Sequence, residues 1–202
     1  MLVSTAPSIA ALLYACNAHE RFAAQMPDFS AASRQNCRIT TNHQTRAKGR
    51  SNMYHFGYGS NLSIKSVREE LIPDAKFVMK GFLPNFEVSW PFWSEEEQAG
   101  YSGIMEAPGE LVHGALYEVT EQDLITTDNM ENVYKDLYKR MTYLVLGEDG
   151  KWHKADLYRV IDPKGPFPPA RSYVEIMLEG ARDLGLDPEY IKKVEKFYSQ
   201  SK

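Results

Sequence analysis

The chain has 202 residues, 43% of them hydrophobic and 25% charged, with 13 Gly and 11 Pro, which is the make-up of a globular protein with one core rather than a disordered, collagen-like or membrane-embedded chain. Its formal net charge of −4 supplies no basic field toward nucleic acid or anionic lipid, and its longest apolar run, Ile9 to Cys16, is far short of the ~20 residues that span a bilayer, so neither a nucleic-acid nor a membrane partner is expected. Cys16 and Cys37 show no CxxC or His-rich spacing, which supports neither a disulfide framework nor a Cys-based zinc site and leaves a reducing, cytoplasmic setting as the expectation.

Charge is unevenly spread. Residues 1–52 hold six basic side chains against two acidic ones, Glu20 and Asp28, and from Ser30 to Asn52 they lack apolar periodicity. The segment reads as a disordered extension, and three origins compete: an organelle transit segment, a secretory signal, or translation from an upstream start codon ahead of Met53. The secretory reading is the weakest, because no basic residue precedes the apolar run. Residues 53–202 read as the folded domain.

From Met53 the aromatic run Tyr54–Tyr58 predicts a strand that breaks at Gly59-Ser60-Asn61, after which Ser63 caps a helix over Ile64–Leu71 that Pro73 ends. Phe77–Trp90 predicts two strand segments or one bent strand, punctuated by Gly81 and Pro84. Gly103–Ala107 and Val112–Val119 read as two strands parted by the turn residues Pro108-Gly109. Thr120 with Asp123 forms a capping-box pattern for a helix to about Met130. Leu137–Leu146 and Trp152–Val160 alternate around Gly147–Gly150, as a hairpin does. A Pro-rich link then leads to a helix from Ser172 to Leu184, stopped at Gly185, and Pro188 opens a last helix to Phe197. Strands crowd the middle without steady βαβ alternation, so the fold class is α+β, a small mixed, barrel-like sheet with peripheral helices.

Two strings can carry chemistry. In Phe56-Gly57-Tyr58-Gly59-Ser60-Asn61-Leu62 a strand empties through two glycines into a helix start, which turns backbone N–H groups toward an anion. It lacks the lysine of a Walker loop and the third glycine of a dinucleotide fingerprint, and the same string also reads as an ordinary turn. In Asp128-Asn129-Met130-Glu131 the two carboxylates share a helix face at the negative end of its dipole, where an acid is either solvated or kept for proton transfer. The 12 tyrosines read as core residues with hydroxyls at the edge, and His113 reads as structural.

Taken together, Tyr58-Gly59-Ser60-Asn61-Leu62, Val112-His113-Gly114-Ala115-Leu116-Tyr117, the Asp-x-x-Glu of Leu124–Val133, Pro168-Pro169 before Tyr173, and Gly185-Leu186-Asp187-Pro188-Glu189-Tyr190 resemble the γ-glutamylcyclotransferase family in order and spacing. The Tyr-Gly-Ser-Asn loop is similar to that of the branch acting on γ-glutamyl amino acids. The resemblance implies a cofactor-free and metal-free enzyme of lyase or acyltransferase type, with a small-molecule γ-glutamyl substrate, a homodimer as its assembly, and 5-oxoproline plus a free amine as products. It also implies Glu131 as the catalytic residue, Gly57, Tyr58, Gly59, Ser60, Asn61 and Leu62 as the loop that holds the glutamyl head, and Tyr138, Tyr158 and Tyr173 as pocket tyrosines. Three departures stand out: Asn132 in place of the usual Gly, which the αL tolerance of Asn accommodates; His113 before Gly114; and an insertion, Pro91–Gly100, expected at the pocket mouth. A non-catalytic γ-glutamyl- or carboxylate-binding module, and a specialised cyclotransferase of a biosynthetic intermediate, remain the alternatives.

Overall fold

A computed structural model describes residues 53–201; the expectations for the first 52 residues, Cys16 and Cys37 included, lie outside the described residues. Five strands, β1 (Met53–Gly57), β2 (Lys76–Ser94), β3 (Ala99–Val119), β4 (Tyr138–Gly147) and β5 (Trp152–Val160), close a barrel in the order β1-β3-β2-β4-β5. Every pairing is antiparallel except the one that closes the ring, where β1 meets β5 in parallel at His55 and Asp156. The sheet is therefore mixed, and closure leaves it without free edges.

The inside of the barrel is filled by Phe56, Leu83, Ile104, Val112, Leu116, Val145, Ala155 and Leu157, drawn from all five strands. Room for the Phe56 ring comes from Gly114, where a Cβ would lie 2.5 Å from two ring carbons and from the Gly57 carbonyl oxygen. This close approach explains the glycine in the Val112–Tyr117 motif.

Helix α1 (Ile64–Ser66) starts under the Ser63 hydroxyl, which accepts from the Ser66 N–H, and widens into a π-helical turn over Val67–Leu71. Helix α2 (Glu121–Met130) carries the full Thr120–Asp123 capping box. Helices α3 (Arg171–Asp183) and α4 (Pro188–Gln200) pack a second core of Leu62, Trp90, Tyr101, Tyr173, Val174, Met177 and Val194 against the β2–β3 hairpin. Gly180 lets α3 touch the Leu62–Ser63 backbone, since a Cβ there would come within 2.4 Å of it. No helix among the described residues is long and apolar enough to cross a membrane.

Several boundaries differ from the sequence reading, each for a local reason. Gly103–Ala107 and Val112–Val119 belong to the single strand β3, and Phe77–Trp90 is one bent strand that runs on to Ser94. The pairing steps from Pro84↔Leu111 to Phe86↔Glu106, so the proline-bearing stretch bulges out, with Asn85 at φ 65°, Gly109 at φ 90°, and the Asn85 side chain accepting from the Gly109 N–H. A bulge of this kind tolerates a proline that a regular central strand would not. The Pro91–Gly100 insertion is the paired tip of the same hairpin, with Phe92↔Tyr101 and Ser94↔Ala99 in register, and α4 continues three residues past Phe197.

Candidate active site

One end of the barrel gathers His55, Phe56, Tyr58, Gly59, Ser60, Asn61, Ser102, Glu131, Tyr138, Tyr158 and Tyr173 around a narrow cavity of about 20 Å³ that opens at its mouth. β1 delivers the chain to Gly57. A 3₁₀ turn, Ser60–Leu62, then folds it back, with the Leu62 N–H bonded to the Gly59 carbonyl. Gly57 and Leu62, expected in the loop that holds the glutamyl head, do not line the cavity. Gly57 is the spot over which Asn61 folds back, its absent Cβ falling 2.5 Å from the Asn61 carbonyl oxygen, and Leu62 points into the core beneath α3. The Ser60 N–H, expected to face an anion, donates to the Tyr173 Oη at 3.1 Å.

That bond belongs to a hydrogen-bonded wall. Tyr173 Oη and Ser102 Oγ lie 2.7 Å apart, and Tyr138 Oη donates to the Ser102 carbonyl at 2.8 Å. Gly59 faces this pair with no side chain, since a Cβ would sit 2.5 Å from Ser102 Oγ and 2.6 Å from Tyr173 Oη. Across the cavity Tyr58 Oη donates to the Tyr158 carbonyl at 2.6 Å, and Tyr158 Oη donates to Asp128 Oδ1 at 2.9 Å. Burial pushes the Tyr158 and Tyr173 phenols up from their ordinary values, so both stay protonated donors.

Glu131 closes α2 at its C-cap, and Asn132 follows in the left-handed region at φ 49°, ψ 41°. This turn carries the carboxyl off the helix surface and into the cavity, where Glu131 is 5% exposed. Burial, and then the charge of Asp128, raise its pKa from 4.5 to about 8. Among the described residues no Lys or Arg lines the cavity to reverse that shift. Asp128 stays outside, ion-paired to Arg140 Nε at 3.3 Å and bonded to Tyr158. Asp128→Asn is expected to cost stability, about 1 kcal/mol for a partly buried hydrogen bond, as read by urea unfolding. It also removes one cause of the raised Glu131 pKa, so the Glu131 titration moves down in pH.

His55 and Ser102 were missed in the sequence reading. His55 sits next to Phe56 on a strand covered on both faces, so no alternation marks it out. Ser102 interrupts the buried run Ala99–Ile104, and a lone polar residue in such a run is the signal that could have found it. His113 stacks on Tyr190 with ring centroids 4.3 Å apart, and His153 bonds Asp149 at 3.0 Å, both away from the cavity. Among the described residues no group of three or more His, Cys, Asp or Glu could hold a metal ion.

Known proteins bear on this arrangement. The AIG2-like family matches residues 111–194. Over 153 residues the chain is 27% identical to γ-glutamylcyclotransferase of Bos taurus, covering 74% of this chain and 80% of the bovine protein. The γ-glutamylcyclotransferase of Homo sapiens is 27% identical over 144 residues, covering 69% and 76% of the two chains. A solved γ-glutamyl cyclotransferase superposes with a TM-score of 0.67 at 25% identity, over 72% of this chain and 87% of its own. Fold and site thus define a small closed α+β barrel with a buried carboxyl in a polar-lined pocket. In sequence the chain is similar to the bovine and human γ-glutamylcyclotransferases, and in fold to the solved γ-glutamyl cyclotransferase.

Proposed function

We propose that the chain converts a γ-glutamyl amino acid, or a related γ-glutamyl compound, into 5-oxoproline and the free amine. One observation carries the reading: a buried glutamate with a raised pKa stands in a cavity otherwise lined by uncharged groups, in a chain similar to γ-glutamylcyclotransferases. A buried carboxyl whose pKa is raised to about 8 is suited to proton transfer with an amine, a match that a pure binding module does not require.

In the reaction the substrate's α-amine forms a bond to its own γ-carbonyl carbon, and the amide bond to the leaving nitrogen breaks. The nucleophile is intramolecular, so the protein's task is to fold the substrate into a near-attack geometry and to carry protons from the α-nitrogen to the leaving nitrogen. The α-amine has an ordinary pKa of ~8 and cannot attack as ammonium. Glu131, with a pKa of about 8, is matched to it: the carboxylate takes one ammonium proton, gives it as the acid to the departing nitrogen, and then takes the second proton that the ring nitrogen sheds as the lactam forms. The side chains of Ser60 and Asn61, which line the cavity, would hold the α-carboxylate and the amine.

A pH profile follows from this match. Below pH 8 free Glu131 and the free amine together carry one proton too many, and above it one too few. The rate kcat/KM should therefore trace a bell centred near pH ~8, its limbs belonging to the pair rather than to either group. A rate that is flat from pH 6 to 9 would remove Glu131 from the proton transfer. Incubating the protein with γ-glutamyl-alanine, glutathione, γ-glutamyl-lysine and a γ-glutamylated amine, with 5-oxoproline detected by mass, tests the activity itself: product from at least one substrate is expected, and product from none overturns the reading.

A further inference from the structure

We propose that His55 is a positioning residue of this pocket: acting through Asn61, it turns the side-chain amide so that its carbonyl oxygen remains open to the ligand and accepts from the α-ammonium of the glutamyl head. The ligand named here rests on the cyclotransferase reading of the same site.

The orientation follows from which atoms can donate. His55 Nδ1 lies 3.1 Å from the Asp156 carbonyl oxygen, which can only accept, so Nδ1 carries the proton. Burial of the ring lowers its pKa to about 4, which keeps it neutral. Nε2 is then a bare lone pair that can only accept. The Asn61 amide nitrogen, 3.2 Å away, supplies the donor. One face of the amide is thereby committed to the histidine, and Asn61 Oδ1 has no hydrogen-bond donor among the described residues.

The lock is tied to the fold at both ends. His55 and Asp156 are the pair through which β1 and β5 close the barrel, so the Nδ1 bond forms as the ring closes. From the other side Tyr117 Oη donates to the Asn61 backbone carbonyl at 2.9 Å, and its ring stacks with His55 at 6.3 Å and 24°. An ammonium needs several acceptors, and among the described residues Glu131 is the only carboxylate lining the cavity. Asn61 Oδ1 supplies a second. An amide free to flip would turn N–H groups toward that same cation half of the time.

The test measures KM and kcat of the full chain with γ-glutamyl-alanine for the parent, His55→Phe and His55→Gln, together with the ring ¹⁵N shifts of His55. Phenylalanine keeps the ring volume and removes both hydrogen bonds, so KM should rise about 10- to 100-fold with kcat within about threefold of the parent. Glutamine can donate to Asp156 and accept from Asn61, and should recover most of the lost affinity. The ring shifts should report a neutral, Nδ1-protonated imidazole from pH 8 down to about 5. An unchanged KM in His55→Phe, equal losses in both variants, or a proton on Nε2 overturns the proposal. Should His55→Phe fail to fold, His55→Gln and the ring shifts decide. A parent chain that makes no 5-oxoproline removes the cyclotransferase reading and the ligand assigned here, while the ring shifts still decide the His55–Asn61 lock.

Discussion

Replacing Glu131 by Gln should lower kcat by ~10²–10⁴, the usual range for a group that moves a proton in the transition state, while substrate still binds. Glutamine keeps the shape of the side chain but cannot take the ammonium proton. The same change should raise stability. In the folded protein Glu131 titrates at about 8 against an ordinary 4.5, so between those values the folded state holds a proton that the unfolded chain has released. The stability tied to this proton is fully present below about pH 4.5 and is lost as pH rises through 8, a loss that the glutamine variant escapes. Each pKa unit is worth ~1.4 kcal/mol, so the gain at pH 8 should be on the order of 4 kcal/mol, or roughly 8–16 °C in Tm for a domain of this size. At pH 5 the gain should nearly vanish. Thermal unfolding at the two pH values checks the sign, and a variant that is both active and no more stable at pH 8 would contradict the role given to the buried carboxyl.

The second large effect is expected from Gly59→Val. Any Cβ at this position would meet Ser102 Oγ at 2.5 Å and Tyr173 Oη at 2.6 Å, and a branched side chain adds two methyl groups to the same space. Tyr173 must then leave the Ser60 N–H and Ser102, which undoes the wall on which the loop rests. Substrate affinity should fall by ~100-fold or more, alongside the ~1–3 kcal/mol of stability that overpacking costs. The clash is with the Ser102 and Tyr173 side chains and not with the backbone pairing of β3, so the far-ultraviolet circular dichroism should stay that of the parent. Unchanged KM in Gly59→Val would take the loop out of the site.

What the sequence reveals divides along the reach of the forces involved. Capping and turn chemistry is local, so Thr120 with Asp123, the stop at Gly185 and the start at Pro188 all fall where expected. Asn132 adopts the left-handed conformation that its small polar side chain allows. Strand continuity through Pro84 and past Pro108-Gly109 is not local, because the bulge that absorbs them needs Asn85 and Gly109 from two different strands. The cavity is less legible again, since it draws on β1, the loop, β3, the end of α2, β4, β5 and α3. A contiguous motif points to the loop but not to which of its residues face inward: Gly57 and Leu62 serve the fold, while Tyr58, Gly59, Ser60 and Asn61 line the space. The largest cause of the raised Glu131 pKa is burial, which the Asp-x-x-Glu string does not show; only the smaller contribution, the charge of Asp128, lies within it.

The central claim is that the substrate's own amine closes the ring, with Glu131 carrying the proton. It is tested most directly with γ-glutamyl-alanine labelled with ¹⁵N at the α-amine of the glutamyl residue. Cyclisation keeps that nitrogen, so mass spectrometry should find ¹⁵N-labelled 5-oxoproline and unlabelled alanine in equal amounts, and Glu131→Gln should make both at least ~100-fold more slowly. Labelled glutamate in place of 5-oxoproline would make the chain a hydrolase, and labelled 5-oxoproline formed equally fast by Glu131→Gln would contradict the proton transfer assigned to that residue.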